Sequence, residues 1–428
     1  MRYDWNKDLG QGQNLKTFGE AIPYFGSCMV ELYTKIKDQL GNLELMRDSM
    51  KNHRIFVGGS DRTGWALSII PYYLRRYGKY NGKIRPDVYQ IGKDPNIPTH
   101  DPKTDVGIVG SGSSLRKPSV DAMKVLIEDM VETYFLTYTT LEEARKEQER
   151  VEEETGELIE SVWDYFIKQK DWEKHVIYLP MREEVRKRER KRASLAPEGT
   201  KYEICTAVFS YSLADNICRS HLMNDTKNSN IPVESVLSVI TDFGHFLIND
   251  VNNQCYDSRY EIANFIQSLY DFKHKNVVGF GLSEFNRDSF VNRLTHCRHL
   301  GKAEVYEKDA RSVHAIRSLD FGDITEEDLF VGISRSGDNP LTWFVLQEAI
   351  EKGAKKLYLI TCNSKPEIDA YTNKIVLPPI INNQEDGSYK GNFGPLSIYT
   401  FLDSCIAQLA DDMDLDEPEL TSFHSRHG

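Results

Sequence analysis

Two short loops carry the residues best suited to holding an anion. Ser111-Gly112-Ser113-Ser114 closes one apolar run, and Ser334-Arg335-Ser336-Gly337-Asp338-Asn339 closes another. Loops rich in Gly and Ser at the carboxyl end of a parallel strand offer backbone N–H groups and hydroxyls beside a helix N-terminus, the donors a phosphate needs. Each loop alone would also suit an ordinary turn or helix cap. Two in matching places make a more specific pattern. Arg62 and Arg335 lie in or beside such loops and can pair with a phosphate directly, although a surface arginine needs no such explanation.

The elements that must position these loops read as strand-loop-helix units. RIFVGG (54–59), VYQIG (88–92), VGIVGSGSS (106–114), TYFLTYT (133–139) and HVIYLP (175–180) are short apolar runs separated mostly by helix-length segments. That order predicts a parallel sheet covered on both faces. It recurs as NVVGFG (276–281), AEVYE (303–307), LFVGISRSG (329–337), KLYLIT (356–361) and KIVLP (374–378). Gly58 precedes Ser111 by 53 residues and Gly279 precedes Ser334 by 55, so the chain reads as duplicated. The expected domains are residues 1–222 and 223–428. The first carries a charged insertion at about 140–172, LEEARKEQERVEEETGELIESVWDYF, which reads as a long solvated helix. The first fifty residues show apolar positions three and four apart and predict helix.

Bulk properties narrow the function classes. The 428 residues suit two cores of roughly 200 residues each. A net charge of −12 argues against nucleic acid as a partner. No apolar run is long enough for a membrane span or a secretory signal, so a cytoplasmic protein with no membrane partner is expected. Seven scattered cysteines without a C-x-x-C pair predict free buried thiols and no zinc site. The loops lack a full G-x-G-x-x-G with an acidic partner, which disfavours hydride chemistry.

The pairs IFVGGSDRTGW with VGIVGSGSS, and VVGFGLSEF with LFVGISRSGDN, resemble the paired signatures of sugar isomerase (SIS) domains. The second half is most similar to 6-phospho-3-hexuloisomerases through NVVGFGLSEF, CRHLGKAEVY, EEDLFVGISRSGDN, EKGAKKLYLITCN, NKIVLPP and FLDSCIAQL. The first half resembles them through its two loops, YLRRYG, HVIYLP and GTKYE. The resemblance implies an α/β fold of two flavodoxin-like domains, each a five-stranded parallel sheet between helices. It implies a sugar phosphate as ligand, with no metal, nucleotide or other cofactor. By similarity, Thr63, Ser111 and Ser113, with neighbouring Ser114, hold the phosphate in the first half; Ser283, Ser334 and Ser336 are their counterparts in the second.

The same resemblance implies a catalytic glutamate in a G-T-x-x-E segment and a histidine in an R-x-x-H-L-G-like segment. Both types suit moving a carbonyl along a sugar, where a base takes a carbon-bound proton and a donor serves the oxygen. Glu203 keeps the glutamate in the first half, while Pro395 stands there in the second; His299 keeps the histidine in the second half, opposite Tyr77 in the first. The losses are complementary, so the expectation is one composite site of the first-half loops, Glu203 and His299, with the two halves acting as a built-in dimer. The function implied is aldose-ketose or ketose-ketose isomerisation through an enediol. Alternatives stay open: Glu203 can simply favour a helix N-terminus, His299 can be a packed histidine, and the chain can be a non-catalytic phosphosugar-binding regulator. A homodimer of the whole chain is also compatible.

Overall fold

A computed structural model describes residues 3–10, 13–77, 79–80, 83–84, 87–94, 96–180, 200–223, 231–298, 312–318, 323–363, 373–378 and 393–415. It contains two five-stranded parallel sheets flanked by helices. The first consists of β1 (Arg54–Gly59), β2 (Val88–Gln90), β3 (Asp105–Gly110), β4 (Glu132–Thr137) and β5 (Val176–Tyr178), in the order β2-β1-β3-β4-β5. The second consists of β6 (His274–Val278), β7 (Ser312–Ile316), β8 (Asp328–Ile333), β9 (Lys356–Thr361) and β10 (Asn373–Val376), in the order β10-β9-β8-β6-β7. Counted within each sheet, both orders are 2-1-3-4-5, the flavodoxin-like arrangement expected from the sequence.

Contacts divide the chain into two compact units: residues 28–183 with 201–242, and residues 1–27 with 184–200 and 243–428. This division differs from a cut after residue 222. Side chains explain the difference at both ends. The Phe18 N–H donates to Gln408, Thr17 Oγ1 donates to Asp411, and the Phe18 ring packs edge-on against Phe401, so the amino-terminal segment belongs with the second sheet. Conversely, Arg47 donates to the Ile231 carbonyl and Asn216 to Ser235 Oγ, which hold residues after 230 in the first unit.

The helices are α1 (Lys16–Lys37), α2 (Leu40–Asn52), α3 (Asp61–Tyr77), α4 (Lys117–Glu128), α5 (Leu141–Thr155), α6 (Val162–Phe166), α7 (Thr200–Met223), α8 (Ser235–Phe246), α9 (Asn252–Asp257), α10 (Arg259–Asp271), α11 (Glu284–Arg298), α12 (Pro340–Glu351) and α13 (Gly394–Asp412). The central strands β3 and β8 are buried at every residue, as continuous apolar runs in covered parallel sheets should be. The charged insertion is not one solvated helix. Thr140 opens α5 with a capping box and Gly156 closes it at φ 72°, which satisfies the helix ends locally. Ser161 then caps α6, whose Trp163 and Phe166 are buried against Phe135 with ring centroids 5.1 and 5.4 Å away. The insertion thus ends by contributing aromatics to the first core.

The expected strand AEVYE at 303–307 lies outside the described residues, and Ser312–Ile316 takes the edge position beside β6. The ladders also shift the repeat by one residue. Gly58 pairs with Val109 and Val278 with Gly332, each two positions before the loop serine, so Gly59 rather than Gly58 is the counterpart of Gly279.

Candidate functional site

In the first unit, three segments meet at the carboxyl ends of β1 and β3. The turn from β1 into α3 is tight: a Cβ placed on Gly64 would stand 2.5 Å from the Gly59 carbonyl oxygen. Glycine is required there, and the close approach sets Arg62 and Thr63 over the strand ends. A Cβ on Gly110 would stand 2.8 Å from Thr63 Cγ2, so Thr63 covers the residue just before Ser111. Ser119 Oγ accepts from the Ser60 N–H and donates to the Gly110 carbonyl, tying the two loops together. Gln90 donates to the Gly64 carbonyl from β2.

The first turn of α7 completes the site. Glu203 Oε2 lies 3.0 Å from Arg62 Nη1, with both side chains buried. Tyr202, next to Glu203, donates to the Leu136 carbonyl and meets Tyr138 edge-on at 5.1 Å. Gly112 sits beneath this pair; a Cβ there would lie 2.5 Å from Tyr138 Cε1 and 3.2 Å from Tyr202 Cδ1. Ser119, Tyr138 and Tyr202 were not singled out from the sequence. Their importance comes from contacts between residues far apart in the chain.

The predicted phosphate residues divide by what the structure does with them. Ser111 is 1% exposed and its hydroxyl has no hydrogen-bond partner among the described residues. Its backbone N–H is fixed on the Leu136 carbonyl, so the orphaned hydroxyl is held in place. A buried hydroxyl without a partner costs about 1–3 kcal/mol, and this one lies at the strand ends where a ligand's acceptor could meet it. Ser113 is half-buried beside it. Ser114 has a different job: it is fully buried at φ 61°, its Oγ donates to the Ser113 carbonyl, and its own carbonyl accepts from the Val162 N–H that begins α6. It therefore serves the backbone turn and is not free for a ligand.

The second unit repeats this loop closely. Ser334 is 2% exposed, its hydroxyl also lacks a partner, and its N–H donates to the Ile360 carbonyl. Thr137 Oγ1 donates to the Gly112 carbonyl, and Thr361 Oγ1 donates to that of Arg335. Gly337, at φ 73°, occupies the left-handed position that Ser114 holds in the first unit. Ser336 is half-buried, its carbonyl accepting from Asn363, and Ser283 is buried where β6 leads into α11. Asn339 caps α12 by accepting from the Leu341 and Thr342 N–H groups.

The two residues expected to be catalytic fare unequally. Glu203 lies at the site just described. Its counterpart is Pro395: Cys362, which follows Thr361 as Tyr138 follows Thr137, has its Sγ 3.9 Å from the Gly394 carbonyl, where Tyr138 meets Tyr202. His299 lies outside the described residues, and nothing is described of the Tyr77 side chain. His296, one turn before His299, is buried. Among the described residues no group of three or more His, Cys, Asp or Glu could hold a metal, and no helix is long and apolar enough to cross a membrane. All seven cysteines are buried, and none forms a disulfide.

No family model and no curated protein matches the chain. Solved structures do. The C-terminal domain of glucosamine-fructose-6-phosphate aminotransferase from Francisella tularensis aligns over 93% of this chain and 96% of its own, with a TM-score of 0.58 at 12% identity. Tagatose-6-phosphate ketose/aldose isomerase from Escherichia coli aligns over 96% of this chain and 95% of its own, with a TM-score of 0.52 at 14% identity. At these identities the likeness is one of fold, and it extends over nearly the whole of both chains.

Proposed function

We propose that a chain with this fold and this loop end is a phosphosugar isomerase of the SIS type, acting on a hexose or hexulose phosphate. The observation that carries the proposal is the buried, unpartnered hydroxyl of Ser111 at the strand ends where Arg62 and Glu203 are paired. A phosphate oxygen gives that hydroxyl an acceptor, and Arg62 and Thr63 lie on the same loop end to receive the remaining charge. Glu203 then takes a proton from the carbon beside the sugar carbonyl. The C–H electron pair becomes the enediolate double bond, and return of the proton to the neighbouring carbon moves the carbonyl by one position. His299 is assigned to the oxygen side, where a proton must pass between the old carbonyl and the new one. Both solved structures of similar fold are described by hexose 6-phosphate chemistry, which supports that substrate class. The second unit keeps the serine loop but has Pro395 in place of the carboxylate, so we read it as ligand-binding only.

The test is deuterium incorporation in heavy water from a panel of pentose, hexose, hexulose and heptulose phosphates, with wild type and Glu203→Gln. Label entering one sugar beside its carbonyl in the wild type, and absent in the variant, supports the enediol route. Tight sugar-phosphate binding with no exchange would replace the isomerase by a phosphosugar-binding regulator.

A further inference from the structure

The Arg62–Glu203 pair joins the group assigned to the phosphate with the group assigned to the carbon-bound proton. Both are buried, and the contact is 3.0 Å between Nη1 and Oε2. A guanidinium this close to a buried carboxylate favours its ionised form and so lowers its basicity, whereas a general base must accept a proton. A sugar phosphate near neutral pH carries between one and two negative charges and three acceptor oxygens, against the single charge of a carboxylate. At a loop end where Ser111 already offers an unmet donor, the phosphate is the stronger claimant on the guanidinium.

Resting on the functional reading above, we infer that Arg62 is a phosphate-responsive clamp on Glu203. The phosphate group of the substrate draws the guanidinium off the carboxylate, and that exchange of partners arms the base. A buried carboxylate deprived of its counter-cation takes a proton more readily, because desolvation then acts with less compensation. Binding energy from the non-reacting phosphate is thereby used at the reacting carbon. Selectivity for phosphorylated sugars would then appear in turnover as well as in affinity, since a sugar without phosphate leaves Glu203 clamped.

The experiment uses the full chain labelled with 13C at the glutamate carboxyl carbons. The Glu203 resonance is identified by its loss in Glu203→Gln and, should that variant fail to fold, in Glu203→Asp. Inorganic phosphate is titrated in while its binding is followed by calorimetry. The expected result is a displacement of the Glu203 resonance, larger than its linewidth, with the same half-saturation as the calorimetric binding. Phosphate that binds while the resonance stays in place would overturn the clamp and leave the phosphate site standing, because Arg62 would then serve both anions at once. Failure of both inorganic phosphate and sugar phosphates to bind would overturn the clamp together with the functional reading.

Discussion

Replacing Ser111 by alanine should strengthen the fold and weaken ligand binding together. The hydroxyl is 1% exposed and has no partner, so in the folded chain it carries a desolvation penalty of about 1–3 kcal/mol. Alanine removes the penalty and leaves a space the size of one oxygen, whose lost contacts offset part of the gain. A net stabilisation of roughly 0–2 kcal/mol is expected, up to about 2–4 °C in Tm per kcal/mol for a unit of this size. The ligand loses a hydrogen bond to a charged acceptor, about 1.5–3 kcal/mol, or roughly 10- to 150-fold in Kd for a sugar phosphate. Denaturant titration and calorimetry on the same protein read the two quantities. A destabilisation of more than about 1 kcal/mol would mean that the hydroxyl has a structural partner, and the reasoning from its isolation would fall. An unchanged Kd would remove Ser111 from the phosphate site.

Gly112→Ala should cost about 1–3 kcal/mol by forcing its Cβ into Tyr138, and Tyr138→Leu in the same chain should recover part of the loss in a denaturant titration. A pH dependence arises from His175, whose Nε2 lies 3.1 Å from Glu132. Burial is the largest single effect and would lower its pKa, but the Glu132 hydrogen bond, the hydrogen bond to the Asp171 carbonyl and the charges of both acids together hold it above the usual 6.5, while the hydrogen bond from His175 holds Glu132 below its usual 4.5. The histidine contribution is complete below 6.5 and lost as pH rises through the raised value. The glutamate contribution is complete above 4.5 and lost as pH falls through the lowered value. The stability difference between wild type and Glu132→Gln should therefore be largest between those two ordinary values and shrink on either side; a difference that stays the same well below and well above that window would exclude the pair as its source.

How much of this was legible in the sequence depended on whether the cause was local. The strands β3 and β8 stood out because a parallel strand covered on both faces must be apolar throughout. The capping box and αL glycine of α5 are likewise local, and the helix there was legible. By contrast, Ser312–Ile316 is a short edge strand, half-buried at most positions and interrupted by polar Ser312 and His314, so its residues SVHAI form no apolar run. The aromatics of α6 follow directly on a charged run, so they read as part of a solvated helix until the Ser161 cap and the contacts with Phe135 separate them. Ser114 belonged by sequence to a phosphate loop, but its positive φ and its hydrogen bonds assign it to the turn. The salt bridge from Arg62 to Glu203 joins residues 141 positions apart and had no sequence signal beyond the two residue types.

The two units also serve as an internal comparison of what can change in this fold. In the first, Tyr73 meets Tyr211 with ring centroids 5.1 Å apart; at the same place in the second, Arg293 pairs with Asp403 at 3.6 Å. The aromatic contact of Tyr138 with Tyr202 becomes the contact of Cys362 with Gly394. A buried aromatic pair and a buried ion pair are thus interchangeable there, as expected where the requirement is only that buried groups be packed and paired. The loop serine follows a different rule. In both units it is buried, fixed through its N–H and without a partner for its hydroxyl, a configuration that architecture alone would not favour at about 1–3 kcal/mol each. On the function proposed above, both units bind the ligand through this serine, whereas a carboxylate at the start of the following helix, where Glu203 and Pro395 stand, is needed only where that ligand also reacts.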